Sequence, residues 1–142
     1  MALIDDEVAA QLRQEFQKLK DPVRLVVFSQ ALADPEAEQV KRLVEEIAAL
    51  EPRIAAESSN FVLDTEKVAA LNIQRIPAIA ILGATKDYGI RMYGLPTGYE
   101  FGSLVDAILD VSSGDSGLGA PTREALLALE RPVHVQVFST PT

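Results

Sequence analysis

Val23-Arg24-Leu25-Val26-Val27-Phe28-Ser29 is the stretch on which the fold turns. It is a short run of β-branched, aliphatic and aromatic side chains, so it reads as a strand covered on both faces. A few residues later, Asp34-Pro35-Glu36-Ala37-Glu38 has the composition of a helix start. An N-cap carboxylate can accept free amide N–H groups, proline is preset for the first helical position, and the two glutamates face the positive end of the dipole. Val40, Leu43, Val44, Ile47 and Leu50 then recur at helical spacing. Pro52 closes that helix and leads into a second strand, 54–63. Strand, helix and strand in this order predict a parallel pair joined by a right-handed crossover.

The reading extends outward from there. Toward the C-terminus, Asp64 or Thr65 caps a short helix through Val68, Ala69 and Leu71. Pro77 precedes a third strand, 78–82, and the turn composition of Gly83 to Gly89 leads to a return strand, 90–93. Phe101, Leu104, Val105, Ile108 and Leu109 are helical in spacing. Residues 112–119 have linker composition, and a last helix (121–130) and strand (133–139) follow. Toward the N-terminus, Asp5 is a candidate N-cap, and Val8, Leu12, Phe16 and Leu19 mark an amphipathic helix that Pro22 ends. A βαβ unit followed by ββα, with an extra leading helix, predicts an α/β fold around a mixed central sheet with flanking helices.

Composition narrows the functions. The 142 residues fit one domain, and 48% hydrophobic content with eight aromatics and no Trp predicts an aliphatic core. A net charge of −8 argues against nucleic acid, whose phosphates need clustered Lys and Arg. Zero cysteines remove disulfides, thiolate nucleophiles and zinc–thiolate sites from this chain. Residues 1–7 lack the basic start and apolar run of a signal peptide, and no apolar run approaches the roughly 20 residues of a membrane span, so a cytoplasmic location is expected. His134, the single histidine, cannot assemble a triad. Glu45-Glu46 and Asp5-Asp6-Glu7 read as solvated charge rather than metal ligands, and Gly114, Gly117 and Gly119 lack the Lys and Ser or Thr of a phosphate loop. No cofactor is implied. Tyr93, Tyr99 and Phe101 are expected to pack against the sheet.

The chain also echoes itself. Residues 21–29 and 131–139 lie 110 positions apart and share five of nine residues (Pro, Val, Val, Phe and Ser), each copy following an amphipathic helix. This predicts a duplication in which a second unit has only begun at Thr142.

Leu3-Ile4-Asp5-Asp6, the run Gly89-Ile90-Arg91-Met92-Tyr93-Gly94-Leu95-Pro96-Thr97-Gly98-Tyr99-Glu100-Phe101, and Val137-Phe138-Ser139-Thr140-Pro141-Thr142 carry a family likeness. Along nearly its whole length the chain resembles the N-terminal unit of the two-unit protein disulfide oxidoreductases, the glutaredoxin-like proteins, in which each unit has a thioredoxin fold. The resemblance implies that the closing Val-Phe-x-Thr-Pro-Thr segment would run into the Cys-Pro-x-Cys centre of the second unit, so the chain is expected to be cut from a longer parent. Alignment on Gln39-Val40-Lys41-Arg42-Leu43-Val44 lays Asp34-Pro35-Glu36-Ala37 over the Cys-x-x-Cys of redox-active first units, with Asp34 and Ala37 at the cysteine positions. A helix cap replaces the redox group. The resemblance likewise places Ile76-Pro77 at the cis-proline that faces the motif and receives substrate peptide.

The expected organisation is a thioredoxin-like domain without Cys-x-x-Cys (1–112), a linker (113–120) and the first helix and strand of a second unit (121–142). The implied role is a redox-inactive structural or peptide-binding unit, itself not an enzyme, whose parent performs thiol–disulfide exchange. Its expected partners are the missing C-terminal unit, protein or peptide substrates and another copy of itself, with no nucleic acid and no membrane. Two alternatives stay open. One is the flavoprotein subunit of alkyl hydroperoxide reductase, which also begins with two thioredoxin-like units. The other is a free-standing protein-binding adaptor.

Overall fold

A computed structural model describes residues 2–30 and 34–140. Its order is α1 (Asp6–Glu15), a 3-10 turn (Phe16–Lys18), β1 (Val23–Ser29), α2 (Pro35–Ala49), β2 (Ile54–Asn60), α3 (Thr65–Ala70), β3 (Ala78–Gly83), β4 (Ile90–Tyr93), α4 (Tyr99–Ser113) and α5 (Ala120–Leu127). The mixed sheet has strand order β2-β1-β3-β4. β1 runs parallel to β2, Val23 opposite Ile54 and Ser29 opposite Asn60, and antiparallel to β3. β3 and β4 close the sheet as an antiparallel hairpin.

The alternation of β1 splits its side chains between two layers. Val23, Leu25 and Val27 join Ile79 and Ile81 under α1, α2 and α4, where Phe16, Val40, Ile47, Leu104 and Ile108 complete the larger core. Val26 and Phe28 point the other way with Ala78, Ala80 and Leu82, covered by Ile73, Phe61, Val68 and Leu71. The small alanines let the short α3 segment lie close to the sheet. The result is helices on both faces of one sheet.

Several ends differ from the sequence reading, each for a local reason. The first helix tightens into the 3-10 turn well before Pro22, and Arg53 donates hydrogen bonds to the freed carbonyls of Phe16 (3.1 Å) and Leu19. β2 stops at Asn60 rather than residue 63. Its side-chain oxygen accepts the Val62 and Leu63 amides (2.9 Å each), and Asp64 accepts the Asn60 amide (2.7 Å), so the chain turns instead of extending. Asp64 therefore braces this turn and makes no side-chain cap to α3. α4 runs through Ser112, which is buried: its hydroxyl donates to the Asp21 carbonyl (2.7 Å) and accepts the Lys20 amide (2.8 Å). Gly114, left-handed at φ +66°, ends the helix.

The expected last strand does not form. Residues 133–139 have no strand partner, and Val135, Val137 and Phe138 are exposed. A strand composition without a neighbouring ladder leaves its backbone to water. Pro141 and Thr142, the end of the expected second-unit opening, lie outside the described residues. Tyr99, expected on the sheet, is 97% exposed, whereas Tyr93 and Phe101 do pack inward.

Candidate functional site

Strand directions bring the candidate residues to one end of the sheet. β1 and β2 finish together at Ser29 and Asn60, so the start of α2 lies at that end. β3 begins there, with Ala78 opposite Phe28, and β4 finishes there, with Tyr93 opposite Ala78. Asp34-Pro35-Glu36-Ala37, Ile76-Pro77 and Gly94-Leu95 thus share one edge.

At α2, Asp34 takes the N-cap position with extended backbone (φ −106°, ψ 102°). Its Oδ1 accepts the amides of Glu36 (3.0 Å) and Ala37 (3.3 Å), two donors that a helix start otherwise leaves unpaired. Pro35 and Glu36 are exposed, while Ala37 is 3% exposed and faces the core. The four residues form a satisfied helix terminus.

Glu36 reaches further. Its Oε1 accepts the Leu95 amide at 3.2 Å, while the neighbouring Gly94 amide donates to the Pro77 carbonyl at 2.9 Å. One short path of hydrogen bonds therefore joins the start of α2, the 94–95 segment and Pro77. Gly94 sits at φ +81°, a left-handed backbone that favours glycine, while a Cβ there would meet Glu36 Oε1 at an ordinary 3.5 Å, so it is the turn and not the contact that calls for glycine.

The Ile76–Pro77 peptide bond is cis. Pro77 is buried and Ile76 half-buried against the smaller core layer. Ile76 makes no hydrogen bond to a described residue through its backbone N–H or C=O. Just upstream, Arg75 lies over the Tyr93 ring (4.2 Å to the centroid), and the Gln74 amide donates to the Tyr93 hydroxyl (3.3 Å). The approach to Pro77 is fixed from β4, and the backbone of Ile76 remains unused.

Sequence reasoning missed Gly94-Leu95 as the bridge between the two candidate segments. Residues 36 and 95 are 59 apart, and no periodicity reports such a contact. Among the described residues, no cluster of three or more His, Cys, Asp or Glu side chains could hold a metal ion, and no helix is long and apolar enough to cross a membrane. With no cysteine, the edge holds no thiol; what it offers is backbone hydrogen bonding beside Pro77 and the carboxylates of Asp34 and Glu36.

Comparisons with known proteins meet this geometry. The chain is 31% identical to the F subunit of alkyl hydroperoxide reductase in Staphylococcus epidermidis over 131 residues, 91% of this chain and 24% of that protein. It is 32% identical to an NADH dehydrogenase of Ferdinandcohnia aciditolerans over 110 residues, 78% of this chain and 18% of that protein. The chain therefore spans no more than a quarter of the length of these relatives. No family model matches it. Among solved structures, the N-terminal N/C domain of the same alkyl hydroperoxide reductase component in Enterococcus faecalis superposes with a TM-score of 0.80 at 29% identity, covering 89% of this chain and 61% of that one. A protein disulfide oxidoreductase from Aeropyrum pernix gives 0.78 at 25% identity, covering 91% and 56%. The chain is an N-terminal-type thioredoxin-like unit, similar to the leading part of the alkyl hydroperoxide reductase F subunit and to a protein disulfide oxidoreductase.

Proposed function

We propose that this chain is the redox-inactive leading unit of a larger thiol–disulfide oxidoreductase, with exchange carried by a second thioredoxin-like unit. The observation that carries the reading is the coincidence of this fold with a cysteine-free, capped helix start that hydrogen bonds through Leu95 and Gly94 join to Pro77. Residues 1–112 form the unit, 113–120 the linker and 121–142 the opening of the next. The unit holds its neighbour in place or receives an extended peptide along Ile76, whose backbone N–H and C=O lack partners among the described residues. Peptide docking by strand-like pairing needs such groups at an accessible edge. The exposed Leu126, Leu127, Val135, Val137 and Phe138 are surface that the second unit, or another copy of the chain, would cover. A cytoplasmic setting fits this role.

Two parents are compatible with it, and the curated relatives favour the alkyl hydroperoxide reductase type over the stand-alone disulfide oxidoreductase. A dinucleotide-binding glycine fingerprint downstream in the gene is expected for the first, and a stop codon soon after the second unit for the second. The decisive assay is insulin reduction by dithiothreitol, comparing this chain with the product extended through the next unit. Activity only in the extended protein is expected. Inactivity of both overturns the oxidoreductase reading.

A further inference from the structure

An apolar groove of about 330 Å³ lies between the segment preceding α1, the outer side of α2 and the stretch leading into α4. Leu3, Ile4 and Val8 form one wall, Leu43 the floor, and Leu95 and Phe101 the other wall. Both walls are tied to the same helix by carboxylates. Glu36, in the first turn of α2, accepts the Leu95 amide (3.2 Å). Glu46, near its last turn, accepts the Leu3 amide on both oxygens and the Ile4 amide on one (2.9 Å each).

The Leu3–Ile4 wall depends on Glu46 to an unusual degree. Both residues precede the Asp5 cap, and neither makes a backbone–backbone hydrogen bond to a described residue. Ile4 is 9% exposed although its segment belongs to no helix or strand. Burial pushes the Glu46 carboxyl up, but the two amides together with Arg42 outweigh it, and the group titrates below its ordinary range. The ionised carboxylate is thus the form that grips the segment.

We propose that residues 3–4 are a strap latched along one wall of the groove by Glu46, and that release of this single side chain is what widens the groove. Leu95, the opposite wall, is held separately by Glu36, so the two sides move independently. Release withdraws Ile4 from its seat and uncovers more of Val8 and Leu43 beside the candidate site.

Amide hydrogen exchange by NMR on the full chain tests this. In Glu46→Ala the Leu3 and Ile4 amides are expected to exchange about tenfold faster or more, because each loses a charged acceptor. Binding of a fluorescent hydrophobic dye rises with it, while the amides of Val27 and Ile79 in the central strands keep their protection. Leu95 is unaffected there and accelerates only in Glu36→Ala. Arg42→Ala removes the ion pair to Glu46 (3.5 Å) but keeps both amide bonds, and the strap stays shut. Should Glu46→Ala fail to fold, Glu46→Gln, which loses the charge and one acceptor, gives a smaller acceleration of the same two amides. Wild-type exchange at Leu3 and Ile4 in whichever Glu46 variant folds overturns the latch. Acceleration by Arg42→Ala equal to that of Glu46→Ala overturns it too, since charge pairing rather than the amide bonds would then hold the segment.

Discussion

Ser112 shows how much one side chain can tie together. Its hydroxyl both donates to the Asp21 carbonyl and accepts the Lys20 amide, and the residue is 1% exposed, so both backbone groups rely on it for a partner. Ser112→Ala is expected to cost about 1–3 kcal/mol, the usual penalty for leaving buried polar groups unsatisfied. Ser113→Ala, one residue on, loses only solvent-exposed hydrogen bonds to the Asp110 and Asp115 backbone and is expected to cost less, under about 1 kcal/mol. Urea unfolding of the two variants separates them, and equal effects would contradict the assignment. The residues legible in the sequence are those whose partners are near. Asp5 and Asp34 are readable as caps because their acceptors sit two or three positions from the amides they hold. Ser112, which composition alone places in a linker, and Glu36 with Leu95 are not, since 91 and 59 residues separate the partners.

At the scale of elements, a charged pair clips the outer strand to the centre. Arg24 on β1 meets Glu57 on β2 through two hydrogen bonds of 2.9 Å, and Lys67 on α3 approaches the same carboxylate at 3.6 Å. The Arg24 guanidinium, against the opposing effect of burial and with help from Lys67, holds the Glu57 carboxyl below its ordinary range. A carboxyl depressed in the folded state stabilises above its unfolded pKa of about 4.3, and that contribution disappears as the pH falls through the folded value. The urea midpoint of the wild type is therefore expected to fall more steeply below pH 5 than that of Glu57→Gln. Parallel acid limbs would show that the pair contributes nothing. Strand and helix identities from 5 to 109 follow the sequence pattern closely, because periodicity and caps agree with burial there. Agreement stops where a pattern lacks a neighbour. Residues 133–139 resemble β1 in composition, yet β1 is a strand because β2 and β3 flank it, and no described strand flanks the tail.

Across the whole molecule, the candidate site and the outgoing chain lie at opposite ends of the central strand. The site gathers where β1 ends at Ser29, whereas α4 finishes against Lys20 and Asp21, just before β1 begins. Seven strand residues put about 20 Å between them. From Ser113 through Thr140 every residue is exposed, so α5 and the tail add little to the folded core. Deletion of residues 119–142 removes one exposed ion pair, Arg123 with Asp115, and is accordingly expected to shift the unfolding free energy by less than about 1 kcal/mol; a larger loss would mean that the tail packs on the unit after all. We propose that the start of α2, joined to Pro77 through Leu95 and Gly94, keeps the frame of a redox motif while holding only a cap. Restoring the two thiols in the double variant Asp34→Cys/Ala37→Cys puts it to trial, by thiol titration in a glutathione gradient and by insulin reduction with dithiothreitol. An intramolecular disulfide that forms and is reduced reversibly is expected, with insulin precipitating faster than the cysteine-free chain allows. A folded variant whose two thiols never pair, and which precipitates insulin no faster than wild type, would contradict it.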